Sequence, residues 1–213
     1  PLKKRGHMLR LFLAKHYSKL ISPSKVIGIT GTVGKTTTAI CAYEVLSTKF
    51  KTLSTTKTNT SVANLDPIFN IPITILKFRP NVDKIILEMG IEYPGEMDFY
   101  LSLIKPQTII ITRLSYQHLE FFGNLESYLD EKAKLVESID AKGVAILNYD
   151  DPLTRKLADR SRGEVIFYGF DSNNCHVWAS NMRITDFRTV FELNYGVERV
   201  EISSKLLGIH QIY

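Results

Sequence analysis

The stretch Val26-Ile27-Gly28-Ile29-Thr30-Gly31-Thr32-Val33-Gly34-Lys35-Thr36-Thr37-Thr38 decides how the rest of the chain is read. Its first five residues form a short apolar run rich in β-branched side chains, which predicts a buried strand. Gly31 to Gly34 predicts a turn, and Lys35 to about Lys49, with Ile40, Tyr43, Val45 and Leu46, predicts a helix. Strand, glycine turn and helix in succession aim several backbone N–H groups at one point, where the helix N-terminus adds partial positive charge. That point suits a phosphate. Lys35 would bring its charge to the β/γ-phosphates, and the Thr36 hydroxyl would be a hard oxygen ligand for Mg²⁺. The strict phosphate-loop spacing wants a glycine where this chain has Ile29, with Gly28 and Gly31 on either side. The candidate phosphate-binding set is therefore Gly31, Thr32, Val33, Gly34, Lys35, Thr36 and Thr37.

Outward from this loop the texture alternates. Ile71–Leu76, Lys84–Glu88, Thr108–Thr112, Gly143–Leu147 and Glu164–Tyr168 read as strands. Gly95–Ile104, Leu125–Ile139 and Pro152–Asp159 read as helices. Strands and helices in turn predict an α/β fold whose mostly parallel sheet is covered by helices on both faces. After Gly169 the pattern changes to short strands, Val177–Ala179, Met182–Thr185, Val190–Asn194 and Val197–Ile202, with Asn194-Tyr195-Gly196 as a hairpin turn. A small antiparallel β excursion is expected there.

With 213 residues, 44% hydrophobic and 23% charged, the chain excludes collagen, coiled coil and general disorder. Its net charge of +5 is unevenly placed. Lys3, Lys4, Arg5, Arg10, Lys15, Lys19 and Lys25 give residues 1–25 a charge of +7 with no acid, so the other 188 residues carry −2. Nucleic-acid binding over a broad basic surface is not expected. Residues 1–24 read as a basic amphipathic helical segment, ended by Ser22-Pro23-Ser24, and residues 25–213 as one domain. The favoured reading packs the helix's apolar stripe on that domain, ahead of peripheral membrane contact through residues 1–21. Cys41 and Cys175 form no CxxC or metal spacing, and Arg10 and Lys15 interrupt any secretory apolar core. A reducing, cytoplasmic setting and a monomer are expected.

Glu88 ends the apolar strand Ile85-Ile86-Leu87, and at the carboxyl edge of a parallel sheet it would face the phosphate crevice as a Mg²⁺ or water-orienting group. His118 should emerge at the same edge. Lys132 and Lys134 lie on a predicted helix, where exposure is the default for lysine.

Gly31-Thr32-Val33-Gly34-Lys35-Thr36-Thr37-Thr38 resembles the ATP loop of the Mur ligases, the amino-acid-adding enzymes of peptidoglycan synthesis. The resemblance continues through Leu87-Glu88-Met89-Gly90, Pro94-Gly95-Glu96-Met97, Ile111-Thr112, His118-Leu119-Glu120 with Phe122-Gly123, and Glu131-Lys132. It ends with Asn148-Tyr149-Asp150-Asp151-Pro152 and Gly208-Ile209-His210-Gln211-Ile212-Tyr213, so it covers residues 26 to 213. It implies the family's central, P-loop NTPase-like domain, with ATP and Mg²⁺ as cofactors. It also implies transfer of phosphate to a substrate carboxylate, followed by attack of an amine on the acyl phosphate. Lys35, Glu88, His118 and Lys132 take the family's catalytic places. Thr36, Glu88, His118 and a carbamylated Lys132 take its metal-binding places. The Glu-Met-Gly and Pro-Gly-Glu-Met pieces are most similar to the branch that joins D-Ala-D-Ala to a UDP-MurNAc-peptide. A diaminopimelate- or lysine-adding, folylpolyglutamate or cyanophycin-type relative, or a non-catalytic membrane-apposed ATP-binding module, is the alternative. The family's uridine-nucleotide-binding N-terminal domain and its C-terminal domain are expected to lie outside these residues, and this piece alone to bind ATP weakly without ligase turnover. Two positions depart from the pattern: Arg113, where an asparagine is usual, and Lys134, where a glutamate is frequent.

Overall fold

The computed structural model describes residues 2–57, 66–115, 119–209 and 212–213, with side chains from residue 6 onward except at 119. Among the described residues nine strands form a single sheet: β1 (Val26–Thr30), β2 (Thr52–Ser54), β3 (Lys84–Glu88), β4 (Thr108–Ile111), β5 (Val144–Asn148), β6 (Glu164–Gly169), β7 (Val177–Thr185), β8 (Arg188–Tyr195) and β9 (Glu198–Ser204), in the order β2-β3-β1-β4-β5-β6-β7-β8-β9. All pairs from β2 to β7 are parallel; β7, β8 and β9 pair antiparallel. The expected fold class is the one observed.

Alternation along the central strands divides the core in two. Val26, Ile85, Leu87, Ile109 and Ile111 face a large cluster made with helices α1 (Leu2–Tyr17), α3 (Pro67–Lys77), α4 (Glu96–Leu103) and α6 (Leu125–Glu137). Ile27, Ile29 and Ile86 face the other way, onto Ala39 of α2 (Lys35–Ser47). Two short helices, α5 (Leu119–Phe122) and α7 (Pro152–Arg155), follow β4 and β5.

One expected element changes type. Ile71–Leu76, read as a strand, lies inside helix α3. Asp66 caps that helix by accepting from Ile68 N–H at 2.9 Å, and Pro67 fits the first turn, where its missing N–H costs nothing. Asn70, Ile71, Pro72, Thr74 and Ile75 are its buried positions, with Asn70, Ile71, Thr74 and Ile75 at a helical spacing that the β-branched composition disguises. The three-residue strand β2 was not anticipated. The expected Val177–Ala179 and Met182–Thr185 are one strand, β7, irregular between Ser180 and Arg183, where Asn181 has φ 52°. Pro152–Asp159 divides into α7 and a 3₁₀ turn at Lys156–Arg160.

The basic N-terminal segment forms helix α1, and Leu11, Ala14, Tyr17 and Ile21 join the large core. Met8, Leu9, Phe12, Leu13 and Leu20 do not, and stay exposed. Among the described residues no helix is long and apolar enough to cross a membrane.

Candidate nucleotide and metal site

The phosphate loop is held in place from beneath by the segment that follows β4. Thr112 Oγ1 donates to Val33 O at 2.6 Å, Thr32 N–H to Arg113 O at 2.7 Å, and Ser115 N–H to Thr32 Oγ1 at 2.9 Å. Gly31 has φ 149°, and a Cβ built there would lie 1.9 Å from Thr112 Oγ1, so this close approach requires glycine. Gly34, with φ 85°, opens helix α2, and Lys35 and Thr36 begin it. Of the predicted loop residues, Gly31 and Thr32 are buried supports, whereas Val33, Gly34, Thr36 and Thr37 are open at the sheet edge. The buried Asp151 braces the same segment by accepting from Leu114 N–H at 2.7 Å.

Register carries Glu88 to this edge. Ile29 of β1 pairs with Glu88 of β3, and the Thr36 hydroxyl donates to the Glu88 carboxylate, 2.8 Å from Oε1 and 3.0 Å from Oε2. Thr55, just past β2, accepts from Glu88 N–H through Oγ1 at 3.0 Å and so fixes the end of β3. A hydroxyl and a carboxylate of this kind are hard oxygen donors that suit a small divalent cation. Among the described residues no group of three His, Cys, Asp or Glu side chains gathers into a metal cluster. Lys35 Nζ donates to Thr32 O at 3.0 Å; its burial pushes the ammonium below the usual lysine range, against the pull of Glu88 and Glu92.

Lys132 overturns the default of an exposed helical lysine. It is 1% exposed, its Nζ donates to Gly31 O at 3.1 Å, and it lies 4.8 Å from the Tyr128 ring centroid. Burial pushes its pKa down to about 7; the Lys35 charge lowers it further, while Glu131 opposes. The Tyr128 hydroxyl in turn lies 3.1 Å from Thr32 Oγ1, so α6 meets the phosphate loop at two points.

The neighbouring Glu131 stands in a motif of the resemblance, but its role is visible only in the structure. Its Oε1 accepts from Gly95 N–H at 3.0 Å and Met97 N–H at 2.9 Å, satisfying the start of α4 from another helix. Its other oxygen pairs with Lys134 Nζ at 2.7 Å, and Lys134 also reaches Asp98 at 2.6 Å. The unusual Lys134 thus has a local reason: it neutralises a buried carboxylate that clamps α4 to α6. Lys35, Thr36, Glu88 and Lys132 are brought together around one loop. His118 lies outside the described residues, as do His210 and Gln211 of the last motif.

Comparison with known proteins agrees with this geometry. The Mur ligase middle domain matches residues 29–213. The UDP-N-acetylmuramoyl-tripeptide–D-alanyl-D-alanine ligase of Borreliella burgdorferi is 33% identical over 190 residues, which cover 89% of this chain and 39% of that protein. The crystal structure of MurF from Acinetobacter baumannii superposes with a TM-score of 0.84 at 22% identity, covering 97% of this chain and 44% of the other. MurF ligase from Thermotoga maritima in complex with ADP gives 0.79 at 22% identity, covering 97% and 46%. These structures show the fold, and the chain spans about two fifths of the length of the curated relatives it matches. With the motif order, the sheet and the profile in agreement over residues 29–213, the chain belongs to the Mur ligase family, as its middle domain.

Proposed function

We propose that this chain is the nucleotide-binding part of an ATP-dependent ligase that joins D-Ala-D-Ala to a UDP-MurNAc-peptide through an acyl phosphate. The observation that carries this reading is the buried Lys132, held against Gly31 of the phosphate loop beside Lys35. A nucleotide site alone needs no such lysine. Joining a phosphate to a carboxylate brings two anions together, and the positive charge this requires would come from Lys35 and Mg²⁺, the metal held in part by a carbamylated Lys132.

The residues present suit ATP with Mg²⁺. Open loop amides at Val33 and Gly34 and the first turn of α2 would receive the phosphates, with Lys35 leaving Thr32 O to meet them. Thr36 and Glu88 would hold Mg²⁺, joined by His118 and by Lys132 in carbamylated form. The metal supplies charge neutralisation between phosphate oxygens. Lys132 suits the modification because its amine is partly neutral near pH 7: the nitrogen lone pair adds to CO₂, one proton leaves, and an anionic carboxylate replaces a cation. The Thermotoga neighbour in complex with ADP supports the nucleotide, and the Borreliella relative supports the choice of amine.

The test uses the full-length enzyme with ATP, Mg²⁺, UDP-MurNAc-tripeptide and a panel of amines, with the product read by mass spectrometry. Formation of the D-Ala-D-Ala adduct is expected, and preference for a single amino acid such as diaminopimelate would replace the proposed branch. Lys35→Ala should abolish nucleotide binding. Lys132→Ala should lower turnover by roughly 10²–10³-fold, the scale of losing one aimed charge in a reaction site, with partial rescue by acetate. Unchanged turnover in Lys132→Ala would remove the carbamate.

A further inference from the structure

Helix α1 has two apolar faces, and the sheet uses only one. Leu11, Ala14 and Tyr17 turn into the large core, and Ala14 is fully buried. At about 100° per residue, Met8, Leu9, Phe12, Leu13 and His16 fall on the opposite sector, with Lys15 along one border and Lys19 in the 3₁₀ turn that continues it. Phe12 is 60% exposed, and Leu20, in the 3₁₀ turn that follows the helix, is 72% exposed. Single exposed apolar residues need no explanation, but a continuous stripe over three turns does.

Charge limits what covers that stripe. Residues 1–25 carry +7 and no acid, whereas the other 188 carry −2. A second copy of the chain meeting this face symmetrically would oppose +7 with +7, so self-association is disfavoured. A nucleic acid would match the charge but would gain nothing from Met8, Leu9, Phe12 and Leu13. An anionic bilayer surface rewards both: lysines at the level of the headgroup phosphates and an apolar stripe at the acyl boundary. Arg10 and Lys15 within the helix agree with a position in the plane of the surface.

The placement of α1 also links this face to the nucleotide site. His7 packs on Phe69 with ring centroids 4.6 Å apart, and the Tyr17 hydroxyl donates to Phe78 O at 2.9 Å, so α1 runs alongside α3 in the same direction. The start of α3 borders the phosphate site, since a Cβ on Gly90 would lie 3.6 Å from Pro67 and 3.4 Å from Lys35. The N-terminal end of α1 therefore sits at the carboxyl edge of the sheet, on the side of the crevice.

We propose that the exposed face of α1, formed by Met8, Leu9, Phe12 and Leu13 with Lys15 and Lys19 at its border, docks on an anionic lipid surface and holds the nucleotide crevice close to it. This surface is separate from the catalytic reading and stands whichever amine the enzyme uses.

Co-sedimentation of the full chain with extruded vesicles tests it, using phosphatidylcholine alone or with about 30 mol% phosphatidylglycerol, a level that gives a clear negative surface potential. The chain should pellet with the anionic vesicles, remain in solution with the neutral ones, and be released by added salt. Lys15→Gln with Lys19→Gln should weaken partitioning by at least about tenfold, since each basic residue near such a surface contributes roughly fivefold. Phe12→Ser with Leu13→Ser should abolish it, and both variants should keep the nucleotide affinity of the parent chain, which shows that they fold. Three results would overturn the docking surface: no pelleting with anionic vesicles, equal pelleting with neutral ones, or retention of binding in the Phe12→Ser, Leu13→Ser variant. Concentration-dependent dimers that disappear with that same variant would overturn it too, assigning the face to a second copy.

Discussion

Helices α6 and α1 break the ordinary partition of side chains in opposite directions. α6 buries a lysine, Lys132, to 1% exposure, and α1 leaves Phe12 60% exposed. Both inversions work against folding. A buried ammonium gives up its hydration for one carbonyl contact and a ring face, and an exposed stripe forgoes the burial that drives folding. The difference lies in what surrounds each. Around Lys132 the phosphate loop, Tyr128 and Glu131 leave little freedom, so the cost is concentrated at one designed point. Among the described residues Phe12 lies open to solvent, so the cost is spread along a surface that a partner can cover. Buried charge belongs to chemistry within the domain; exposed apolar surface belongs to contact beyond it.

The largest expected effect tests the buried side of this contrast. The folded-state pKa of Lys132 is pushed down to about 7, below the 10.5 of a free lysine. Between those values the unfolded chain binds a proton that the folded chain does not, so stability should rise with pH across that window. Below about 7 both states are protonated, and the full cost of the buried charge is present. The facing groups are Lys35 of α2, which adds to the shift, and Glu131 of α6, which opposes it. Urea unfolding at several pH values should show a slope approaching, at most, about 1.4 kcal/mol per pH unit. Lys132→Met, which keeps the length and removes the charge, should flatten that slope and stabilise the chain at pH 6. A slope unchanged by the substitution would assign it to other groups.

How much of this was legible follows the range of the contacts involved. The strand, loop and helix around Gly31–Lys35 were readable because their signals are adjacent in sequence, and Glu88 because it ends an apolar run. Helix α3 was misread because Ile71, Thr74 and Ile75 are β-branched, although the Asp66-Pro67 start signal stood just upstream. Lys132 carries a local clue, since Tyr128, Lys132, Leu135 and Val136 share one helical face, yet the residue type argues for exposure, and only the resemblance gives it a role. Thr112, Glu131 and Asp151 stand in the motifs that carry the resemblance, but nothing beside them in sequence says what they hold. The contacts by which they brace the site span 79, 34 and 37 residues, so only the fold reveals them.

An intermediate effect separates the two neighbours on α6. Glu131→Gln keeps an oxygen for Gly95 N–H and Met97 N–H, but it places an amide against Lys134 and removes the ion pair. Because the carboxylate is buried, the loss should be about 1–3 kcal/mol by urea unfolding. Lys134→Ala should cost less, since Lys134 is partly solvated and its link to Asp98 lies at the surface. Equal losses in the two variants would mean that the ion pair alone sets the cost, since both leave the contacts to Gly95 N–H and Met97 N–H in place.

The smallest effect lies on α1, where the two faces can be read against each other within one helix. Ala14 is fully buried, and Ala14→Leu forces three extra carbons into a filled space, which should cost about 1–3 kcal/mol. Two residues away, Phe12→Ser removes a large aromatic from an exposed position and should change stability by no more than about 0.5 kcal/mol. Its ring packs on His16, at a centroid distance of 4.2 Å on the same helix, and is otherwise largely exposed, so little is lost when the ring goes. The pair is informative because intrinsic helix propensity changes modestly in both cases, leaving burial as the variable. If Phe12→Ser proved as costly as Ala14→Leu, the outer face would already be covered in the free protein. The contrast between α1 and α6 would then fail, because neither helix would present an unpartnered apolar surface.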